Sequence, residues 1–289
     1  MLSVNLWPSI LRSHSRSFVT SPTPLSLSWS GLTDKGRFRA NNEDAFLALN
    51  FDASEVRFLG KTGAASLATA DFVFAVSDGM GGAKSGEFAS RIATERITRL
   101  LPRSFKQSAA GLDSGAGDIL AELFTSIHAD LVRLGRCYEE CRGMGATLTL
   151  CWFSPGVMHF GHVGDSRLYY LPVGGEPHQL THDDSYVGEL RRKGRINERE
   201  ARQHPKKNAL TQALGAGLAS VEPHVGMVRY EPGDRFLICS DGVMDGYWDH
   251  AVADLMRDGA AASQIVHGAI AEGSRDNVTA LVIDVLAEH

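Results

Sequence analysis

The sequence predicts an α+β fold in which antiparallel β-structure is covered by helices. Two observations carry this. Strand-like and helix-like runs are segregated along the chain instead of strictly alternating, which favours antiparallel sheets over a βαβ parallel sheet. Short turn signals also separate several of the apolar runs, as Ser154-Pro155-Gly156 does.

Residues 1–30 stand apart, with Arg12 and Arg16, no acidic residue and many serines. That composition is shared with organelle transit peptides but lacks the apolar core of a secretory signal. It is read as an N-terminal extension, residues 1–26, without fixed structure, followed by one folded domain over 27–289. The run 71–77 (DFVFAVS) is short, apolar and closed by Asp78-Gly79, as in a buried strand. Residues 86–101 place Phe88, Ile92 and Ile97 near helical spacing. Over 118–132, Ile119, Leu123, Ile127 and Leu131 form an i, i+4 stripe, which Leu120 and Phe124 widen into a core-facing surface. Three short strands follow at 146–153, 157–163 and 167–171, and the breaks between them suit an antiparallel meander. Residues 185–205 read as helix and loop. The remaining strands are 221–230, 235–240 and 277–285, and a helix bearing Ile265, Val266, Ala269 and Ile270 lies between the last two.

Composition narrows the function. A net charge of −5 over 289 residues does not suit a protein that coats nucleic acid. No apolar run reaches the ~18 residues of a membrane span. Cys137, Cys141, Cys151 and Cys239 form no Cys-x-x-Cys pair, and four thiols so scattered suggest a reducing, cytoplasmic setting over a disulfide framework.

Carboxylates sit where strands are expected to stop: Asp78 in AVSDG, Asp165 in HVGDSR, Asp241 in ICSDG and Asp276 in SRDNVT, with Arg39, Glu43 and Asp44 upstream. One such aspartate is ordinarily a turn former or helix cap. A set of them is different, because buried carboxylates without partners cost several kcal/mol each and call for cations. An all-oxygen donor set selects Mg²⁺ or Mn²⁺ over zinc. A glycine after the aspartate lets a backbone carbonyl come close enough to join the ligands.

These segments, taken in order, resemble the type 2C metal-dependent Ser/Thr protein phosphatases of the compact bacterial kind. The matching residues are Thr33-Asp34-x-Gly36-x-x-Arg39-x-x-Asn42-Glu43-Asp44, Asp78-Gly-Met-Gly-Gly82 with Gly86-Glu87-x-Ala89-Ser90, and Met144-Gly-Ala-Thr147. They continue with Gly164-Asp-Ser-Arg167-x-Tyr169, Leu180-Thr-x-Asp183-x-Ser185, Leu210-Thr-x-Ala213-Leu-Gly215, Ser240-Asp-Gly242 and Asp276-Asn-x-Thr279. The resemblance implies two packed antiparallel sheets flanked by helices on both outer faces, an α-β-β-α sandwich. It implies hydrolysis of phosphoserine and phosphothreonine in proteins, opposing Ser/Thr kinase signalling, by a water shared between two Mn²⁺ or Mg²⁺ ions. Asp78 would bridge the ions, Gly79 would ligate one through its carbonyl, and Asp241 and Asp276 would hold the other. Glu43 and Asp44 would order waters around them, Arg39 would grip the phosphate through its guanidinium fork, and Asp165 with Asp241 would hold a third ion. The expected partners are phosphoprotein substrates of a Ser/Thr kinase, without nucleic acid or membrane, met by a monomer.

The departures from the family pattern concern the proton donor. Met80 and Ala83 stand where family members carry a histidine, and Asp184 replaces the histidine of Asp-His-Ser, so the motif names no general acid. His162 is read as structural and Cys239 as a buried small hydrophobe. Residues 187–208 correspond to the family's flap. Their excess of Arg and Lys either recruits acidic segments or forms a solvated helix face with Glu198–Arg202 at i, i+4. The alternative to an enzyme is a weakly catalytic, phosphate-binding sensor or scaffold of the same fold. A nucleotide-binding loop at Gly79-Met-Gly-Gly82 is disfavoured, since it lacks both Gly-x-Gly-x-x-Gly spacing and a P-loop lysine.

Overall fold

The computed structural model describes residues 24–52, 54–81, 85–109 and 115–288, with backbone alone for 102–109. The strands are β1 (Leu25–Asp34), β2 (Asp44–Phe51), β3 (Val56–Phe58), β4 (Thr62–Ser66), β5 (Asp71–Met80), β6 (Gly145–Ala146) and β7 (Leu148–Ser154). They continue with β8 (Val157–Val163), β9 (Arg167–Leu171), β10 (His178–Gln179), β11 (Leu214–Gly215), β12 (His224–Arg229), β13 (Arg235–Cys239) and β14 (Val278–Ala287). The helices are α1 (Ser85–Ala109), α2 (Ala116–Cys137), α3 (Tyr186–Arg192), α4 (Glu198–Gln203), α5 (Asp241–Gly246), α6 (Asp249–Arg257) and α7 (Ala262–Ala271).

Two antiparallel sheets result. One runs β10-β9-β13-β14-β1-β4, and the other runs β11-β6-β5-β7-β8-β12 with β2 and β3 branching from β5. Helices α1 and α2 cover the outer face of the second sheet, and α5 and α7 cover that of the first. The four layers are the expected α-β-β-α sandwich. Strand β5 has an unbroken apolar run because both its faces are covered: Phe72, Phe74 and Val76 enter the core between the sheets, while Val73 and Ala75 meet the helices. Strand β14 divides in the same way, with Leu281, Ile283 and Val285 facing inward and Val278, Ala280 and Val282 facing α7. Helix α2 buries the anticipated stripe and comes close to β8, where a Cβ on Gly161 would stand 2.6 Å from Phe124.

Three expectations change. The first strand begins at Leu25, inside the segment assigned to the extension: Leu25 and Ser26 pair with Ala287 and Leu286 of β14. The rest of that extension, residues 1–23, lies outside the described residues. The third strand of the supposed meander belongs to the other sheet. Strand β8 pairs with β7 and β12, whereas β9 pairs with β10 and β13, so Gly164–Ser166 is a crossing between sheets and not a hairpin turn. Gly164 makes this possible with φ at 113° and Thr147 side-chain atoms 2.6 Å from where a Cβ would lie. Helices α5 and α6 follow β13 directly, in a stretch where no element was anticipated.

Between α3 and α4 and their neighbours, residues 186–209 form the flap. Its base is pinched: Ser185 bridges Leu210, and Tyr186 N donates to Ala209 O at 2.9 Å.

The inter-sheet core supplies a test. Trp29 of β1 is 6% exposed, lies tilted against Phe72 and Phe74 with centroids 6.0 and 5.8 Å away, and donates its indole N–H to Gly60 O at 2.9 Å. Trp29→Ala should therefore lower unfolding free energy by about 3–5 kcal/mol in urea titrations. A loss below ~1 kcal/mol would mean that this ring does not anchor the first strand.

Candidate active site

The anticipated acidic residues meet at one end of the two sheets. Asp78, near the end of β5, lies directly opposite Asp44, the first residue of β2. Asp241 opens α5 straight after β13, Asp276 precedes β14, and Asp165 sits in the sheet crossing. Like charges paired across strands are destabilising, so this register needs a compensating cause. The electrostatics record the conflict. Burial first, and then the charges of Asp44, Asp241, Asp165 and Asp276, hold the Asp78 carboxyl well above the usual carboxylate range. Burial followed by Asp165 and Asp276 does the same to Asp241. Asp44 is pushed up to about 6 and Asp165 to about 7, in both cases chiefly by burial. Glu43 is also raised, by burial, against the opposing pull of Arg39.

Hydroxyls and one guanidinium hold the cluster together. Ser240 and Thr279 each donate to Asp44 Oδ2, at 2.7 and 2.6 Å. Arg39 donates to Asp276 Oδ2 at 2.5 Å, and the pairing raises its own pKa. Asn277 fixes the loop that carries Arg39 and Glu43: its Nδ2 donates to Lys35 O and Asn41 O, both at 2.9 Å, and its Oδ1 accepts from Glu43 N at 2.8 Å. Both Asp-Gly pairs also need their glycine for close backbone packing. A Cβ on Gly79 or on Gly242 would lie 2.0 Å from a backbone oxygen, that of Gly86 or Asn277.

The donor set fits hard divalent cations. It is all oxygen, and Asp44 Oδ1 and Asp241 Oδ1 are buried with no hydrogen-bond partner. Among the described residues no three such side chains converge on one point. Asp276 is turned onto Arg39 and must rotate away to hold an ion, whereas Asp44 gives only Oδ2 to Ser240 and Thr279 and keeps Oδ1 without a partner. Two cavities flank Asp241. One, of about 230 Å³, is lined by Arg39, Asp276, Asp245, Lys207 and Arg275; the other, of about 180 Å³, lies under the flap and reaches Asp165.

Sequence reasoning did not assign roles to Asn277, Ser240, Thr279 or the spine beneath the flap. In that spine Arg167, 7% exposed, binds Asp183 bidentately at 2.9 and 2.7 Å and reaches Asp249 at 2.9 Å, which in turn accepts from Arg191 of α3 at 2.6 Å. The motifs did contain Arg167, Asp183, Ser240, Asn277 and Thr279, but their partners lie too far along the chain for spacing to show. The flap's positive charge is largely engaged within the protein. Arg202 pairs with Glu198, bonds Tyr247 O and covers the Trp248 ring at 4.3 Å, Lys206 covers Tyr186, and Lys207 is 3.5 Å from Asp245.

The remaining assignments are structural. His162, fully buried, bonds Thr149 Oγ1, Gly164 O and His182 O. Asp184 accepts from Gly164 N at 3.1 Å and so braces the crossing that carries Asp165. Cys239 is enclosed in β13, and burial lifts its thiol to about 12. Ala83 lies outside the described residues.

An α-β-β-α sandwich whose strand ends gather carboxylates around a polar cleft, with the guanidiniums of Arg39 and Arg275 at its edge, defines the class. The sequence profile of the protein phosphatase 2C family matches residues 61–281, and the chain belongs to that family. It is 33% identical to the serine/threonine protein phosphatase PstP of Mycobacterium tuberculosis over 91% of this chain, though it spans only 46% of that protein's length. It is 30% identical to the serine/threonine phosphatase stp of Listeria innocua, with 87% of this chain and 93% of that one covered. Among solved structures it resembles the S. agalactiae serine/threonine phosphatase, at 26% identity and a TM-score of 0.71 over 91% and 100% of the two chains. It also resembles the PstP catalytic domain in complex with two manganese ions, at 30% identity and a TM-score of 0.68 over 91% and 99%.

The raised carboxyls set a pH dependence. A group whose folded pKa exceeds its unfolded value stabilises the fold below the unfolded pKa and loses that contribution as pH rises through the folded one. For Asp44 this window runs from about 4 to about 6. In chelator, Asp44→Asn should gain stability relative to the parent protein across that window, by ~1–3 kcal/mol. Saturating Mn²⁺ should remove the advantage. A difference in melting temperature that stays constant from pH 4 to 7 would refute the assignment.

Proposed function

We propose that the chain hydrolyses phosphoserine and phosphothreonine monoesters in proteins, with Mn²⁺ or Mg²⁺, in opposition to a Ser/Thr kinase. The observation that carries this reading is the clustering of five aspartates, in which Asp44, Asp165, Asp241 and Asp276 lie near enough to raise the Asp78 carboxyl by their charge, with Arg39 paired to Asp276 at the margin. Asp78, Gly79, Asp241 and Asp276 would hold two catalytic ions, Glu43 and Asp44 would orient water beside them, and Asp165 with Asp241 would hold a third. When bound, such ions supply the positive charge that offsets a phosphate dianion, and they acidify the water that attacks it.

The protein's own residues perform the rest. Arg39 and Asp276 neutralise one another in this structure. An Asp276 that turns toward the cation site releases the guanidinium, which can then meet two phosphate oxygens through its fork. Ser240 and Thr279 keep Asp44 from rotating freely, and Asn277 holds the Arg39 loop at a fixed distance from β14. No side-chain nucleophile is required, and the buried Cys239 is in no position to be one. A cytoplasmic, monomeric protein belongs to the same reading. Four free cysteines fit a reducing compartment, and among the described residues no helix is long and apolar enough to cross a membrane.

Purified protein should turn over a phosphothreonine peptide with Mn²⁺ and lose that turnover when the ion is chelated. Activity that survives exhaustive chelation would overturn the reading. Arg39 gives a sharper test. Arg39→Ala should cut kcat/KM at least tenfold while tightening Mn²⁺ binding measured by calorimetry, because Asp276 loses its competitor. Arg39→Lys should recover little of the rate. Unchanged Mn²⁺ affinity in Arg39→Ala would show that the ion pair does not compete with the cation. Asp78→Asn should lose both ions and Asp165→Ala should keep two; the reverse pattern would mean that the carboxylates have been assigned wrongly.

A further inference from the structure

With most flap cations engaged inside the protein, the cationic surface left beside the cleft is on its other side. The turn between β1 and β2 reads Lys35-Gly-Arg37-Phe38-Arg39, and Lys35, Arg37, Phe38 and Arg39 are all exposed. Arg275 is exposed beside them, and its guanidinium lies 5.3 Å from the centroid of the Phe38 ring. Among the described residues neither Lys35, Arg37 nor Arg275 has a carboxylate within salt-bridge distance, whereas Arg39 is taken by Asp276. Phe38 is 60% exposed, an unusual place for a large aromatic next to a polar cavity. The turn is also held in place. Asn277 binds two of its carbonyls, and Gly36, at a φ of 71°, lies so close to Asp276 O that a Cβ would approach it to 2.5 Å. Arg275 and Arg39 both border the 230 Å³ cavity next to Asp241 and Asp276. A peptide with its phosphate at Arg39 therefore has its flanking residues within reach of this surface.

We propose that Lys35, Arg37 and Arg275, with Phe38 as an apolar platform, select phosphorylated segments that carry acidic residues beside the phosphorylated one. This rests on the phosphatase reading for the position of the phosphate. The charge of the surface stands against a net charge of −5 for the chain, so it is a local feature and not part of a general basicity. A fixed surface loses little conformational freedom on binding, and a group of like charges at the mouth of a cleft raises the encounter rate of oppositely charged partners at low salt. An extended nucleic acid would need a longer run of cations than three residues and one arginine provide.

The test separates recognition from turnover. Fluorescence anisotropy measures binding of three labelled, unphosphorylated peptides of equal length in which the residues flanking a central threonine are Glu, Ala or Lys. Their phosphothreonine forms are then compared for kcat/KM with Mn²⁺, using p-nitrophenyl phosphate, which has no flanking residues, as the reference. The Glu-flanked peptide is expected to bind at least fivefold tighter than the Lys-flanked one at low salt, and kcat/KM should follow the same order. The preference should shrink toward unity at 0.5 M salt, where the Debye length falls below ~5 Å. Arg37→Glu combined with Arg275→Glu should abolish or reverse it, and Arg37→Glu alone should leave p-nitrophenyl phosphate turnover unchanged. Phe38→Ala should weaken all three peptides alike. Equal binding of the Glu and Lys peptides would overturn the proposal, as would a preference that survives the double charge reversal. A single-stranded oligonucleotide that binds as tightly as the Glu peptide would also overturn it. Failure to turn over p-nitrophenyl phosphate while the binding preference persists would overturn the phosphatase reading and support the surface.

Discussion

The structure depends on a repulsion. Five carboxylates are brought to one end of a pair of sheets, where low polarisability makes their mutual charge costly. They are held there by backbone: Asp78 and Asp44 are fixed by strand register, Asp241 by the start of a helix, Asp276 by the entry to β14 and Asp165 by a crossing between sheets. The sheets are stabilised elsewhere, by three apolar cores. This lets the site remain strained in charge without unfolding the protein. The surrounding polar groups each take up part of that strain. Ser240 and Thr279 donate to one carboxyl, Arg39 compensates another, and Arg167 lies behind Asp165 and lowers its proton affinity.

Much of this was legible in the sequence where the cause is local. The 71–77 strand, the 118–132 helix and the strands at 157–163 and 167–171 all fall where an apolar run or stripe meets a turn residue, and the carboxylates lie at the ends of such runs. What was not legible arises from distance or from competing signals. Strand β1 carries a clean alternation, Leu25-Ser-Leu27-Ser-Trp29-Ser, and its buried positions follow that period. Only its first two residues, Leu25 and Ser26, fall in the segment read as a serine-rich extension, where the serines are the less buried face of a strand. The turn residues at Gly164–Ser166 suit a meander as well as a crossing, because they mark a change of direction without specifying which sheet receives the next strand. Ser240 and Thr279 converge on Asp44 from 196 and 235 residues away, beyond any spacing rule. Gly79 and Gly242, each of which follows an aspartate of the cluster, also answer to a packing demand that no spacing shows, since a backbone oxygen lies 2.0 Å from where a Cβ would stand.

The spine from Arg167 through Asp183 and Asp249 to Arg191 explains how a peripheral element is tied to the chemistry without forming part of a sheet. Its charges are mutually satisfied: Asp183 and Asp249 both titrate below the usual carboxylate range despite their burial, because a guanidinium offsets the loss of solvation. Buried ion pairs of this kind add little net stability but penalise misplacement strongly. The flap is therefore kept in register with the crossing that bears Asp165.

The pinched base of the flap has a consequence for how the protein tolerates change. Because Ser185 and Leu210 already touch, the segment between them closes a loop whose ends are fixed independently of its length. Closure entropy rises only logarithmically with added residues, by roughly 0.6 kcal/mol per doubling. Insertions at exposed positions between these two residues should consequently leave the sandwich almost unaffected, provided Arg191, Arg202 and Lys207 keep their partners outside the flap. The fold thus has a cassette at the mouth of its cleft, an evolvable segment that can be exchanged while the charged centre beneath it stays as it is.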